Sequence, residues 1–353
     1  MTDDRTEALL REALEYEANR AVDPGVVQAR LNDRMSRSAR RRGPALIGVA
    51  VAVAVVVLTA VVVVPRLLGQ DTPDERLASA TGGSTPVTVL VAGMDDHGYT
   101  DSILLTRVRP DGVSLVSLPR NVRTDVPGHG EQQLNSAYRH GREAALADGK
   151  DAEAADRAGA RTLVSTVADL TGTTVDHYAL VDTDVIGAVT EAVGGVEVCV
   201  HPPLDGPDAE RRRKLSGEEA LAFLKQRRDL PHGDLDRIVR LQAFARSLFD
   251  SVLRNDGQRL KEVADVIAGH VRTDAELDVL GLAERLADME RPTLSVATIP
   301  LSHEEGTLPD GRFVIDVDVE QVRAFTSPFL DGKTPDGDRP DHSLPDGELP
   351  CVN

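Results

Sequence analysis

The sequence lacks tryptophan, is poor in aromatic residues, and has too little positive charge to balance its acidic residues. Aromatic residues make up 3% of the 353 residues, and 40 Lys and Arg face 58 Asp and Glu, which gives a formal net charge of -18. The excess of acid lies after residue 43, because residues 1–43 contain nine Arg and eight acidic residues. A surface of this sign repels nucleic-acid phosphates, which argues against a DNA- or RNA-binding role for the region after residue 43.

Cysteine is scarce, and histidine shows no metal-binding pattern. The nine His residues are scattered without the spacing of zinc ligands. Cys199 and Cys351 allow a disulfide outside the cytoplasm, and equally a buried Cys199 with a free thiol at Cys351. Neither Ser117 nor Ser216 has an adjacent base in the sequence. Zinc chemistry and a covalent serine intermediate are therefore not indicated.

One long hydrophobic run is present. Residues 45–64 contain no charged side chain over 20 positions, and a helix of that length spans about 30 Å, the thickness of the hydrocarbon core of a bilayer. Five arginines, at positions 34, 37, 40, 41 and 42, precede it. Positive charge stays in the cytoplasm, so we expect a single-pass cell-membrane protein with a cytoplasmic N-terminus.

These features divide the chain into segments. We predict a cytoplasmic tail at residues 1–43, a transmembrane helix at 44–65 and a polar linker at 66–85. An extracytoplasmic domain follows at 86–328. Residues 329–353 are rich in Pro, Gly and Asp, a composition that predicts disorder.

Strand-like and helix-like patterns alternate within residues 86–328, which is typical of a layered α/β domain. The Arg109–Gly112 turn between two apolar runs predicts a β-hairpin. Ser216 and Glu219 form a capping-box pattern at the start of a helix. The predicted strands are 87–92, 102–108, 113–118, 177–181, 196–200 and 293–299, and the main predicted helices are 154–170, 184–193 and 236–253. Further helices are predicted up to about residue 290, and a last strand and helix up to about residue 325.

Charged residues cluster where these elements end. Asp95 follows the first strand, Asp101 begins the second, Arg120 follows the third, and residues 225–237 are rich in Lys, Arg and Asp. Mg²⁺ takes one or two carboxylates together with water and phosphate oxygens, and arginine binds phosphate in bidentate fashion. The pattern indicates a pyrophosphate site, although Asp after a strand is more often a turn former, and arginine near a helix end is more often solvated.

The sequence resembles the LytR-CpsA-Psr (LCP) family of cell-envelope proteins, actinobacterial type. Six segments follow the family's order, and they cover most of residues 86–255. The segments are 88–95, 100–122, 134–141, 170–182, 193–200 and 215–244. The resemblance implies a mixed central β-sheet flanked by helices on both sides, preceded by the transmembrane helix. It also implies a magnesium-dependent phosphotransferase that moves an anionic glycopolymer from a polyprenyl pyrophosphate in the membrane to peptidoglycan, with an apolar tunnel for the lipid.

The resemblance also assigns roles to residues. Asp95 and Asp101 match metal-associated carboxylates, and Asp101, Arg120 and Arg237 are the expected catalytic residues. Substrate-binding roles are expected for four further positions that align with the family's motifs, which are Lys225, Arg227, Asn121 and Asn135. For Asn135, orienting the site and holding a loop are equally compatible with the pattern.

Three positions depart from the family pattern. Tyr99 and Lys225 stand where the family has arginine, and Asn121 stands where it has aspartate. Lysine keeps the charge but loses the bidentate fork. A weakened protein that binds polyprenyl pyrophosphate as an accessory to the envelope is therefore an alternative to the transferase. Transcriptional attenuation is a further alternative, against which the acidic and externally placed domain argues.

Overall fold

A computed structural model describes residues 85–353 with internal gaps. The gaps are position 96, residues 183–184, 202–211 and 227–229, most of 255–269 and 279–291, and residues 303–304, 336–338 and 346–348. The predicted cytoplasmic tail, transmembrane helix and all but the last residue of the linker lie outside the described residues. Among the helices in the described part of the chain, none combines the length and apolar composition that crossing a bilayer requires.

A six-stranded mixed sheet forms the centre of the domain. Its strands are β1 (Val87–Met94), β2 (Thr100–Arg109), β3 (Gly112–Leu118), β6 (His177–Asp182), β9 (Val271–Thr273) and β10 (Leu294–Thr298), in the order β10-β3-β2-β1-β6-β9. Neighbours β1–β2, β2–β3 and β6–β9 are antiparallel, whereas β1–β6 and β3–β10 are parallel. Residues of β1 to β3 are buried on both faces, so helices must cover both sides.

Two hydrophobic cores lie on opposite faces of this sheet. On one face, Val91 and Leu104 pack with α3 (Val185–Ala192), α4 (Gly217–Lys225) and α5 (Asp234–Arg254). On the other, Leu90 and Leu105 pack with α1 (Ala137–Ala147), α2 (Ala152–Thr171) and α6 (Val319–Leu330). The alternation of side chains along a strand separates the two cores. The predicted α/β domain with helices on both faces of a mixed sheet is confirmed.

Local sequence signals explain several boundaries. The Asp151 side chain accepts a hydrogen bond from the Ala154 amide and begins α2, and Gly172, with a φ of 65°, ends it. The capping box of Ser216 and Glu219 begins α4 as predicted. Antiparallel β2 and β3 are joined at Arg109 and Gly112, which confirms the hairpin.

Several shorter elements complete the fold, and most of them were not predicted. They comprise β4 (Arg123–Val126) and β5 (Gly130–Gln133), a single 3₁₀ turn at Leu134–Ser136, β7 (Val196–Cys199) paired with β8 (Arg212–Leu215), and β11 (Glu305–Thr307) paired with β12 (Phe313–Ile315). Of this set, only β7 and the strand near β12 match predicted elements. β4, β5, β8 and β11 are three or four residues long, too short for a period to be recognised.

The C-terminal segment differs from the predicted disorder. Leu344 and Val352 are buried, and Cys351 forms a disulfide with Cys199 at the end of β7. The Arg246 guanidinium donates to the Pro345 carbonyl at 2.7 Å. Buried Gln242 accepts from the Leu344 amide at 2.8 Å. Two buried apolar side chains and a disulfide thus attach this segment to β7 and α5, although its composition is otherwise typical of disorder.

Candidate functional site

The charged residues singled out in the sequence meet at one edge of the sheet. Strand β2 runs antiparallel to β1 and β3, so the end of β1, the start of β2 and the end of β3 lie side by side. Asp95, Asp101 and Arg120 occupy these three positions. The N-terminus of α5 reaches the same edge and brings Asp234 and Arg237.

A β-bulge sets the position of Asp101. Gly93 pairs with Ser102 and Met94 pairs with Thr100, so Asp101 is the extra residue of β2 between these pairs. A bulge redirects a side chain that regular alternation would point elsewhere. The Asp101 side chain is only 4% exposed, and its Oδ1 accepts from Arg120 Nη1 at 2.7 Å. The bulge therefore holds a buried carboxylate against a guanidinium.

Arg120 joins two carboxylates. Its Nη1 donates to Asp101, and its Nε donates to Asp234 Oδ2, also at 2.7 Å. Burial alone would lower the pKa of Arg120, but the charges and hydrogen bonds of Asp101 and Asp234 outweigh that effect and raise it. Arg120 therefore stays charged in this partly buried position.

Arg237 enters the same cluster from the first turn of α5. Its Nη2 donates to the backbone carbonyl of Asp101 at 3.4 Å, and its Nε lies 3.4 Å from Asp234 Oδ1. Asp234 thus bridges Arg120 and Arg237. Asp234 belongs to the charged segment 225–237 noted in the sequence, but no site role was predicted for it, since an acid in the first turn of a helix is also explained by the helix dipole.

The four side chains that we call the arginine–aspartate cluster are Asp101, Arg120, Asp234 and Arg237. Their formal charges cancel, so a pyrophosphate, if it bound here as predicted, would share the guanidiniums with the two carboxylates. Charge balance then favours an additional cation beside the phosphates. The residues fit such a role for Mg²⁺, which needs only one or two protein carboxylates and takes its other ligands from water and phosphate.

Asp95 has a different environment from Asp101. Its Oδ1 accepts from the amides of His97 at 2.9 Å and Tyr99 at 2.8 Å, which closes the turn between β1 and β2. Within the described ranges, no group of three or more His, Cys, Asp or Glu side chains could form a metal site by itself. The metal role of Asp95 remains a prediction, and the turn that it holds places Asp101.

Asn121 and Asn135 lie next to Arg120 in space. The Asn135 amide donates to the Arg120 carbonyl at 2.8 Å, and the Asn135 carbonyl accepts from Thr100 Oγ1 at 3.2 Å. The side-chain Oδ1 atoms of both asparagines are buried and have no hydrogen-bond partner among the described residues. The backbone of Asn135 therefore ties the start of β2 to the Arg120 loop, and the two Oδ1 atoms are acceptors that a ligand could satisfy.

The remaining predicted residues lie on the segment before α5. Lys225 is the last residue of α4 and is half-buried. Arg227 lies outside the described residues, so its predicted contact with substrate is not tested.

Tyr99, one of the positions that depart from the family pattern, lies in the turn between β1 and β2. Its hydroxyl accepts a hydrogen bond from Arg139 Nη1 at 2.6 Å.

A narrow cleft leads from the cluster into the core. Asp101, Arg120 and Arg237 line its polar end, and Ile103, Leu118, Ile238 and Leu241 are among its apolar lining. Its volume is about 10 Å³, close to that of one water probe. This cleft is too small to hold an isoprenoid chain, so it is not the apolar tunnel that the family resemblance implies.

The fold matches solved structures of low sequence identity. A structure of TagV from B. subtilis matches with a TM-score of 0.54 and 23% identity, over 71% of this chain and 99% of that one. A structure described as TagT bound to LIIa-WTA matches with a TM-score of 0.55 and 19% identity, over 70% and 91% of the two chains. At these identities the likeness establishes the fold alone.

Sequence comparison identifies relatives with assigned names. The chain is 35% identical over 289 residues to the cell wall biosynthesis protein LcpA of Corynebacterium glutamicum, covering 76% of this chain and 56% of that protein. It is 24% identical over 270 residues to the polyisoprenyl-teichoic acid–peptidoglycan teichoic acid transferase TagU of Halalkalibacterium halodurans, covering 71% and 81%. The chain thus spans little more than half the length of the Corynebacterium protein.

The family itself is established over most of the chain. The model of the LytR_cpsA_psr family matches residues 67–328, a range that includes the sheet, the helices on both of its faces up to the last turn of α6, and the whole arginine–aspartate cluster. The fold agrees with this match, as do the relatives in sequence. The protein is therefore a member of the LytR-CpsA-Psr family.

Proposed function

We propose that this protein transfers an anionic glycopolymer from a polyprenyl pyrophosphate carrier to a sugar hydroxyl of peptidoglycan. The arginine–aspartate cluster carries the proposal, because two buried or partly buried guanidiniums held side by side suit the binding of a pyrophosphate. The names of the relatives, a cell wall biosynthesis protein and a teichoic acid transferase, support the same activity.

The reaction is a displacement at phosphorus. The acceptor oxygen forms a bond to the phosphorus that carries the polymer, and the bond to the lipid phosphate breaks, so polyprenyl phosphate leaves. Arg120 and Arg237 bind the phosphate oxygens and stabilise the charge that develops on them. Positioning and charge neutralisation suffice for this chemistry, so no covalent enzyme intermediate is needed.

Asp101 has three functions in this proposal, as a partner of Arg120, as a proton acceptor and as a metal ligand. In the structure it holds Arg120 in place through its Oδ1. Phosphate oxygens that bind Arg120 compete with Asp101 for the guanidinium, and the carboxylate so released accepts the proton of the acceptor hydroxyl. Bound Mg²⁺, with Asp95 and Asp101 as its protein ligands, would supply further positive charge next to the pyrophosphate.

We also propose that the domain lies outside the cytoplasm, anchored by a helix at residues 44–65. The disulfide between Cys199 and Cys351 supports this location, because disulfides persist in oxidising compartments. Protease added to wall-stripped intact cells should digest the domain, whereas an intact domain would contradict this topology.

The transferase is tested with the full chain in detergent micelles, Mg²⁺, a radiolabelled polyprenyl-pyrophosphate oligosaccharide and peptidoglycan oligomers. Label should move to peptidoglycan with the unchanged protein and fall by at least about 100-fold with Asp101→Ala, which removes a group from the reaction centre. Asp111→Asn, an exposed carboxylate in the β2–β3 turn, should transfer normally. Full transfer by the Asp101 variant would refute the assignment.

The alternative, binding of the lipid donor without transfer, has a specific basis. Asn121 has replaced a carboxylate of the family pattern, and its Oδ1 is buried without a partner in the part of the chain that the structure describes. Tight retention of the labelled donor by the unchanged protein, with no label on peptidoglycan, would favour this alternative.

A further inference from the structure

A second polar cavity lies beside the turn that joins β1 to β2. Its volume is about 290 Å³, near the lower end of the range for small-molecule sites. Arg139 and Arg142 of α1, Asp156 of α2 and Arg272 of β9 are among its lining residues, together with Tyr138. The cavity lies on the α1 and α2 side of the sheet, where its lining residue Met94 packs. Helix α5, which carries Arg237 of the arginine–aspartate cluster, packs on the other side.

Asp156 fixes two of the three guanidiniums. It accepts from Arg142 Nε at 2.6 Å, from Arg272 Nη1 at 2.7 Å and from the Tyr138 hydroxyl at 3.0 Å. Burial alone would raise the pKa of Asp156, but the hydrogen bonds from Arg142 and Tyr138 outweigh it and lower the pKa. The pKa of Tyr138 is raised to about 12, mainly by burial and secondly by the hydrogen bond to Asp156. The Tyr138 hydroxyl therefore remains a donor. The carboxylate is thus a fixed anchor.

The three arginines of this cavity retain hydrogen-bonding capacity. Arg139 donates to Glu143 and to the Tyr99 hydroxyl, and its guanidinium lies 5.0 Å from the centre of the Tyr99 ring. Each guanidinium carries more N–H donors than the contacts described here use. Three guanidiniums face two carboxylates, those of Glu143 and Asp156, so the lining has a positive excess that an anion would balance.

The cavity is close to the arginine–aspartate cluster along the chain. Tyr99, which contacts Arg139, is two residues from Asp101, a separation of at most about 7 Å along the chain. The Tyr99 amide also donates to Asp95 Oδ1 in the same turn. A sugar chain that has one residue at Asp101 could therefore place a neighbouring residue in the cavity.

We propose that this cavity binds an oxyanion carried by a sugar chain of the transfer reaction, next to the bond that is made. The choice of a sugar chain rests on the proposed function, whereas the oxyanion follows from the three arginines. The anion could be a carboxylate on the peptidoglycan acceptor or a phosphodiester of the transferred polymer, which share the same recognition by guanidinium. The experiment separates these two sources.

Binding to the full chain in detergent micelles is measured by calorimetry, without lipid donor or turnover. The probes are N-acetylglucosaminyl-N-acetylmuramic acid, a glycerol phosphate oligomer, and neutral diacetylchitobiose. At least one anionic probe should bind about 10-fold more tightly than chitobiose, as expected for charge-assisted hydrogen bonds. The probe with this advantage identifies the acceptor or the polymer as the source.

Two kinds of variant locate the site. Arg139→Gln combined with Arg142→Gln should remove the preference for the anion, whereas Arg157→Gln, an exposed arginine of α2 paired with Glu153, should retain it. Glu143→Gln releases Arg139 from its carboxylate and should strengthen anion binding several-fold, a gain that a misfolded protein would not show. Equal binding of all three probes, or a preference that survives in the double variant, would overturn the proposal. Anion preference without any transfer in the unchanged protein would overturn the proposed function alone.

Discussion

At the scale of single residues, Asp234 has the most informative position. It accepts from Arg120 Nε at 2.7 Å across 114 positions of sequence, and it lies 3.4 Å from Arg237 Nε. Asp234→Asn removes one negative charge from a cluster whose charges cancel. We expect the donor KM to fall, because the guanidiniums become more available to phosphate. The kcat should fall by about 100-fold, because Arg120 loses the contact that orients it.

The matched control for this change is Asp310→Asn, which removes an exposed carboxylate paired with Arg312. Its kcat and KM should equal those of the unchanged protein. Steady-state transfer kinetics give both constants, and thermal unfolding shows whether each variant is folded. If Asp234→Asn raised the donor KM and left kcat unchanged, Asp234 would be a binding residue rather than a positioning residue.

At the scale of elements, the sequence predicted the strands and helix ends that depend on residues close together in the chain. The three apolar runs became β1, β2 and β3, and the capping box of Ser216 and Glu219 begins α4. The bulge at Asp101 could not be predicted, because it depends on the register between two strands. Nor could the Arg120–Asp234 contact, since nothing local links residues so distant in sequence.

The capping box of α4 is a testable case of such a local signal. Ser216 Oγ accepts from the Glu219 amide, and Glu219 Oε2 accepts from the Ser216 amide. Ser216→Ala should cost about 1 kcal/mol of unfolding free energy, which corresponds to about 2–4 °C in Tm for a domain of this size. Ser165→Ala, an exposed site inside α2, should leave Tm unchanged or slightly higher. Equal effects of the two changes would show that the cap does not stabilise α4.

At the scale of the whole molecule, α5 joins the site to the C-terminal segment. Its first turn carries Asp234 and Arg237 into the arginine–aspartate cluster. Two turns further along, Gln242 donates to Ser117 Oγ and Thr298 Oγ1 of the sheet and accepts from the Leu344 amide. The composition of residues 329–353 predicted disorder, and this prediction was wrong for the residues around Leu344 and Val352, because overall composition does not show which few apolar side chains become buried.

The disulfide should contribute most of the stability that this segment adds. It joins Cys199 to Cys351 across a sequence separation of 152 residues, and closing so long a loop stabilises a fold by about 2–5 kcal/mol. Reduction should therefore lower Tm and increase amide hydrogen exchange in residues 339–353, where Leu344 is held by α5. A variant with Cys199→Ser and Cys351→Ser should start at the lower Tm and not respond to reductant. If the unchanged protein kept its Tm on complete reduction, the packing of Leu344 and Val352 alone would suffice to hold the segment against α5 and β7.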